Sequence, residues 1–300
     1  HNYGHGHGHH NPAALYKTAM RLVTRPSLLH VVLVCACLWT RVGYVQGGFS
    51  KSKKYDVTLD EGVAESMLTV ASKVAEIPSE QQGKGNKMVI MTMGNYGYRA
   101  VLANFMVSLE KLEVSNYLVM CMDEDVCTMM NGMGKQDHGV NLRLSSRGKP
   151  LQNKQIWCLR TKLTLMLLED GYDVVLSDTD AVWLQRPFAW FNHGLADVVA
   201  SRGSFPKPQY ESWGATMCMG LIYFHSGPET IAFVERAYRL VQESGDDQVA
   251  YNDALSSAKV RWLKSHDSGV LLGKTKLEYE SSKSVSVGEA WLGNPEMASQ

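Results

Sequence analysis

The stretch Asp173-Val174-Val175-Leu176-Ser177-Asp178-Thr179-Asp180-Ala181-Val182-Trp183-Leu184 constrains this chain more than any other. Val174 to Leu176 form a short apolar, β-branched run that suits a central parallel strand, buried on both faces. Two carboxylates, Asp178 and Asp180, fall where the strand runs out. Open α/β sheets bind ligands beyond the carboxyl ends of their strands. Two carboxylates there make a hard oxygen site, suited to Mg2+ or Mn2+ shared with a diphosphate. Asp-x-Asp alone is common, and a strand-end turn capped by Asp accounts for many instances. Behind a hydrophobic strand and ahead of Ala-Val-Trp-Leu it carries much more weight.

Strands and helices alternate around this stretch. Met88 to Met93 reads as a strand, with Gly94-Asn95-Tyr96-Gly97 as the turn after it. Tyr98 to Leu112 is predicted helical, with Leu102, Phe105, Leu109 and Leu112 facing inward. Tyr117 to Met122 is a second strand ending at Asp123. Ile156 to Leu168 is helical and leads through Gly171 into the Asp-x-Asp strand. Asp197 to Ser201 and Gly220 to Phe224 are strand-like, and Thr230 to Glu243 and Gln248 to Leu255 are helical. This alternation predicts an α/β domain with a mostly parallel sheet and helices on both faces.

The 300 residues allow one large α/β domain or two small ones. Apolar residues make up 45% and charged residues 20%, enough to bury a full core. Thirty basic residues balance thirty acidic ones, so no net field points to nucleic acid. Residues 1–27 read as a disordered cytoplasmic tail, in which the Gly-His alternation of residues 1–12 prevents packing. A first residue of His rather than Met reads as a fragment or a processed form. Lys17, Arg21 and Arg25 precede the apolar run Leu28–Trp39. As a helix that run is only about 20 Å long, against ~30 Å for a bilayer core. Residues 28–45 therefore fit a signal peptide or short signal anchor, with a buried helix of the domain as the other reading. The basic flank would stay cytoplasmic and leave the rest lumenal. Residues 46–86 read as a stem with one amphipathic helix, about Asp60 to Glu76. Residues 87–300 are the expected catalytic domain. The six cysteines show no Cys-x-x-Cys spacing, which argues against structural zinc. Cys121 and Cys127 are the nearest candidates for a disulfide, and a buried free thiol at Cys121 is as good a reading.

Several of these segments together resemble a known family. They are Met88–Asn104, then Gly171–Leu184 with Pro187, then Gly220-Leu221-Ile222-Tyr223-Phe224, then Asp246-Asp247-Gln248-x-x-x-Asn252, in that order. Over about residues 87–265 the chain resembles the nucleotide-diphospho-sugar transferases of glycosyltransferase family 77, found chiefly in plants and algae. The resemblance implies the GT-A fold and a retaining enzyme. Such an enzyme moves xylose, arabinose or galactose from a UDP-sugar to cell-wall polysaccharide or hydroxyproline-rich glycoprotein. It also implies a Golgi membrane protein, single-pass type II, held by one N-terminal anchor. Two departures stand out. GT-A enzymes often carry a further metal ligand, commonly His, in a C-terminal segment. The tail Ser281–Gln300 offers none, His266 is a weak substitute, and that segment is expected to lie beyond residue 300. Related retaining enzymes often place an Asn in the loop before Gly220, where this chain has Met217-Cys218-Met219.

Chemistry assigns the roles. Departure of a nucleoside diphosphate builds negative charge, which Mn2+ or Mg2+ stabilises directly. Asp180 is expected to ligate the metal, and Asp178 to hold the metal or the donor ribose. Gly94, Asn95 and Tyr98 would line the nucleotide, with Asp123 meeting base or ribose. Lys162, on the helix feeding the Asp-x-Asp strand, would reach a phosphate or else sit in solvent. The resemblance implies that Asp247 and Gln248 approach the anomeric carbon, although Asp is also a good helix cap. Trp183 is expected to pack in the core, and Trp213 either stacks on sugar or packs. Two rival functions are a haloacid-dehalogenase-like phosphatase, whose strand-Asp-x-Asp-x-Val signature residues 178–182 satisfy, and a catalytically inactive sugar-binding domain. The former normally opens its core domain with that motif, and here two strand-helix units come first.

Overall fold

The computed structural model describes residues 54–60, 62–81, 85–144, 151–191, 196–257 and 287–289. The strands are β1 (Met88–Gly94), β2 (Tyr117–Cys121), β3 (Gly139–Asn141), β4 (Asp173–Ser177), β5 (Val198–Gly203), β6 (Thr216–Phe224) and β7 (Val287–Glu289). They form one seven-stranded sheet in the order β3-β2-β1-β4-β6-β5-β7. Neighbours pair parallel on the β3-β2-β1-β4 side, and β7 pairs parallel with β5. β6 is antiparallel to both β4 and β5. The carboxyl ends of β1, β2, β4 and β5 therefore share one edge of the sheet, joined there by the start of β6.

The helices are α1 (Val63–Val74), α2 (Arg99–Lys111), α3 (Glu124–Gly132), α4 (Asn153–Glu169), α5 (Lys207–Trp213), α6 (Pro228–Ser244) and α7 (Asp247–Ser256). They cover both faces because the strands are apolar on both. Val89, Met91, Leu118, Met120, Val174 and Leu176 face one cluster, with α1, α4, α6 and α7 packed over it. Their neighbours Met88, Ile90, Tyr117, Val119 and Val175 face the other, under α2 and α3. Period-two alternation thus builds two cores from single apolar runs. Trp183 packs in the second core as expected, 6.0 Å from Phe188 ring to ring. Trp213 lies half-buried against the first.

The expected helix over about 60–76 forms as α1. It buries Val63, Met67 and Ala71 in the sheet's core, so this part of the stem-like segment folds onto the domain. Glu80 and Arg186 add an ion pair, with Nε 2.6 Å from the carboxylate. Residues 1–45, with their apolar run, lie outside the described residues. Among the described residues no helix is long and apolar enough to cross a membrane. Cys121 and Cys127 form a disulfide, with Cα atoms 5.8 Å apart, joining the end of β2 to α3.

Asp173 opens β4 with a fully buried carboxylate. It accepts hydrogen bonds from Tyr223 Oη at 2.7 Å, Ser226 N at 2.8 Å and Asn86 Nδ2 at 3.0 Å. His225 Nδ1 lies 3.0 Å from the same carboxylate. Burial pushes the Asp173 carboxyl up, but the bonds from His225, Ser226 and Tyr223 outweigh it and hold the group below its usual value. Burial pushes His225 down, and Asp173 more than reverses this. The signs follow by linkage. Asp173 contributes stability that is full above its unfolded pKa and lost as pH falls through the lower folded value. His225 contributes stability that is full below its unfolded pKa and lost as pH rises through the higher folded value. Asp173→Asn is expected to cost about 1–3 kcal/mol at pH 6 and to flatten the acid limb of a plot of melting temperature against pH. An unchanged acid limb would contradict this.

Candidate active site

The Asp-x-Asp pair sits at the centre of the carboxyl edge. Asp178 follows β4 directly, and its N–H donates to Gly220 O on the neighbouring β6 at 2.8 Å. The chain then turns tightly, with Ala181 N donating to Asp178 O at 3.1 Å. Asp180 is exposed at that turn. Because β4 lies between β1 and β6, the turn faces the end of β1 on one side and the start of β6 on the other.

On the β1 side, the expected nucleotide-lining residues come together. Asp123 Oδ2 accepts from Tyr96 N at 2.9 Å, and its Oδ1 accepts from Val126 N at 3.0 Å. Asp123 thus caps α3 and ties the end of β2 to the turn after β1. Asn95 Oδ1 accepts from Tyr98 N at 3.1 Å, shaping that turn, and Tyr98 is 58% exposed above it. Gly94 ends β1 against α2, where a Cβ would meet Leu102 Cδ2 at 3.2 Å.

On the β6 side, α7 begins with Asp246, whose Oδ1 caps Val249 N at 2.9 Å. Gly245 links α6 to α7 with φ at 68°, and a Cβ there would lie 2.7 Å from both Lys154 and Tyr55, so only glycine fits. Asn252 clamps a β6 peptide with both ends of its amide, to Met217 N and Met217 O at 2.9 Å each. Gln248 Nε2 donates to Phe205 O at 2.7 Å. The Asp-Asp-Gln-x-x-x-Asn spacing therefore seats α7 on β6 with its first turn aimed at the Asp-x-Asp pair. Residues 217–219, expected as a loop, lie inside β6, and Cys218 is a buried thiol there. The strand extends because Asn252 satisfies the Met217 peptide.

Arg160 joins the two motifs. Its Nη1 donates to Asp178 Oδ1 at 2.7 Å, and its Nε donates to Asp247 Oδ2. The Asp247 side chain is 3% exposed and that of Arg160 11%, against 42% for Asp178. Burial pushes Arg160 down, and the two carboxylates more than reverse it. Burial pushes Asp178 up, Arg160 pulls it back, and Asp247 and Asp180 add repulsion, leaving it above the usual carboxylate range. Arg160 was missed in the sequence, although a signal was present. Its helix neighbours at three and four residues are Ile156, Trp157, Leu163 and Thr164, none acidic, so its counter-charge had to come from another element.

Lys162 is not brought to the site. It lies two residues from Arg160, on the other side of α4, and donates to Val57 O at 3.0 Å. That corrects the expected phosphate contact, because the segment 54–60 takes up this face of the helix. His225 sits on Asp173 at the opposite end of β4. His266 lies outside the described residues.

Asp178 and Asp180 suit an ion of the Mg2+ or Mn2+ class, which needs only one or two carboxylates when phosphate and water complete its shell. Among the described residues no group of three or more His, Cys, Asp or Glu could hold a metal by itself. Two carboxylates at a strand end fit an ion that arrives with a diphosphate. The guanidinium on Asp178 marks where positive charge is wanted.

Comparisons with known proteins place the chain in a family. A sequence model described as nucleotide-diphospho-sugar transferase matches residues 112–279, over half of the chain. The chain is 24% identical over 200 residues to the UDP-galactose:fucoside alpha-3-galactosyltransferase of Dictyostelium discoideum, covering 56% of this chain and 31% of that protein. It is 22% identical over 178 residues to the beta-arabinofuranosyltransferase RAY1 of Arabidopsis thaliana, covering 57% and 33%. It is 27% identical over 157 residues to the arabinosyltransferase RRA2 of the same plant, covering 50% and 34%. The chain thus spans about a third of the length of the curated relatives it matches.

Proposed function

The chain belongs to the nucleotide-diphospho-sugar transferase family, and from that premise we propose that it is a retaining glycosyltransferase. It moves a sugar of the xylose, arabinose or galactose class from a UDP-sugar to a cell-wall polysaccharide or glycoprotein, with Mn2+ or Mg2+. One observation carries this reading: Arg160 ties Asp178 of the Asp-x-Asp pair to Asp247 of the Asp246–Gln248 turn at the carboxyl edge of the sheet.

Each residue has a task in this reading. Asp178 and Asp180 hold the divalent ion, which neutralises charge on the departing diphosphate when bound. Gly94, Asn95, Tyr98 and Asp123 form the wall against the nucleoside. The Asp123 carboxylate spends both oxygens on backbone N–H groups, so it shapes that wall as well as facing base or ribose. Asp247 acts on the sugar end through Arg160, and Gln248 fixes the Phe205 segment beside it. The named relatives transfer galactose or arabinose, which supports the sugar class. Saturation-transfer NMR with a panel of UDP-sugars and Mn2+ tests the donor. The expected result is saturation of a pentosyl or galactosyl donor that depends on the ion. Saturation by none of the panel would remove this reading.

The proposed location is the Golgi membrane, single-pass type II, with the catalytic domain lumenal. The Cys121–Cys127 disulfide supports an oxidising compartment, and the basic flank before residues 28–45 supports the orientation. Microsomes should protect the domain from added protease until detergent is present.

A further inference from the structure

Arg160 answers two carboxylates whose surroundings differ. Its bond to Asp247 is sealed, with that side chain 3% exposed, while its bond to Asp178 reaches a side chain 42% exposed. Anything entering from solvent therefore meets the Asp178 bond first. Asp178, Asp180, Asp246 and Asp247 outnumber the cations near them, Arg160 and Lys154, so the cluster lacks positive charge. Losing the Asp247 bond would leave a buried unpaired carboxylate, which is strongly unfavourable. Losing the Asp178 bond costs less, because water or a cation can replace it. The guanidinium serves the two carboxylates through different nitrogens, Nη1 and Nε, of one rigid fork.

We propose that Arg160 is the resident counter-ion of Asp178 and exchanges there with a divalent cation, staying bound to Asp247 throughout. The proposal rests on the reading of Asp178 and Asp180 as the metal end of the site. Asp247 then sets metal affinity without touching metal. It keeps Arg160 shared, and so keeps Asp178 only loosely engaged.

Titration with Mn2+ alone tests this, with free ion followed by electron paramagnetic resonance. Asp247→Asn leaves Asp178 as the sole carboxylate on Arg160, and the Mn2+ Kd is expected to rise about fivefold. The double variant Arg160→Met with Asp247→Asn removes one charge of each sign, so charge counting alone expects no change. Exchange expects the Kd to fall about fivefold below that of the unaltered protein, because the competitor is gone. The double variant leaves neither buried group unpaired, and a thermal melt confirms that it folds. An unchanged or weaker Kd in the folded double variant overturns the exchange. Binding of UDP with Mn2+ to the unaltered protein, measured in parallel, separates the two ideas. If that binding is present and the double variant is unchanged, the exchange alone fails. If no variant binds Mn2+ with or without UDP, the metal assignment falls and the exchange with it.

Discussion

Asp180→Ala is expected to abolish Mn2+-dependent binding of UDP while leaving the fold intact. The carboxylate sits at an exposed turn after β4, and the local bond there, from Val182 N to Asp180 O at 3.1 Å, uses the backbone and survives the change. No cavity forms, and a surface substitution of this kind ordinarily shifts stability by only about ±0.5 kcal/mol. The loss of affinity is another matter. Outer partners of metal ligands alone change affinity by about 10–100-fold. A direct carboxylate ligand, one of two in this site, should cost on the order of 100-fold or more. Asp178 alone leaves the ion one protein carboxylate, reached only by displacing Arg160 at 2.7 Å. Isothermal titration of UDP in the presence of Mn2+ measures the effect. An unchanged affinity in a variant with normal melting behaviour would sink the assignment of Asp180.

The sheet was legible where one strand's own composition decides its fate. Val174 to Leu176 pack on alternate faces into two cores, as a fully buried run must. Strand direction was not legible in the same way. β6 is as apolar as β4, and nothing in Thr216–Phe224 says that it runs antiparallel to its neighbours. That follows from where α5 and its flanking segments return the chain. α3 was also passed over, although Asp123 ahead of Glu124 and Asp125 is a cap signal. Its carboxylate was read only as meeting base or ribose, and the structure shows that it also accepts from two backbone N–H groups. The site divides similarly. Asp178, Asp180 and Asp247 were visible as carboxylates at element ends. Arg160 and Lys162 were two cations on one helix, two residues apart, and the helix alone does not say which faces the edge of the sheet. Packing of residues 54–60 against α4 decides it, because Val57 O accepts from Lys162.

Asp247→Asn is expected to lower the transfer rate on the order of 100-fold with Mn2+ saturating, the scale for losing one preorganised electrostatic group, while the donor KM moves only severalfold. The carboxylate is 3% exposed and faces Arg160, so its loss removes the charge that holds the guanidinium back from Asp178. With Asp247 almost fully buried against Arg160, the effect is expected on rate more than on donor affinity. The same arrangement bears on stereochemistry. Inversion needs a general base opposite the leaving group to activate the acceptor hydroxyl. His225 is committed to Asp173 at the far end of β4 and is thereby held away from the Asp178 turn. Glu211 lies exposed on α5 within 3.7 Å of Lys207, one turn away on the same helix. Transfer with retention at the anomeric carbon is the outcome expected from the proposed function, giving an α-linked product from an α-linked UDP-sugar. The anomeric proton coupling of the first-formed product measures it, scored as retention relative to the donor because α and β labels shift for a pyranose arabinose. A product of inverted configuration would remove both the retaining assignment and the role given to Asp247.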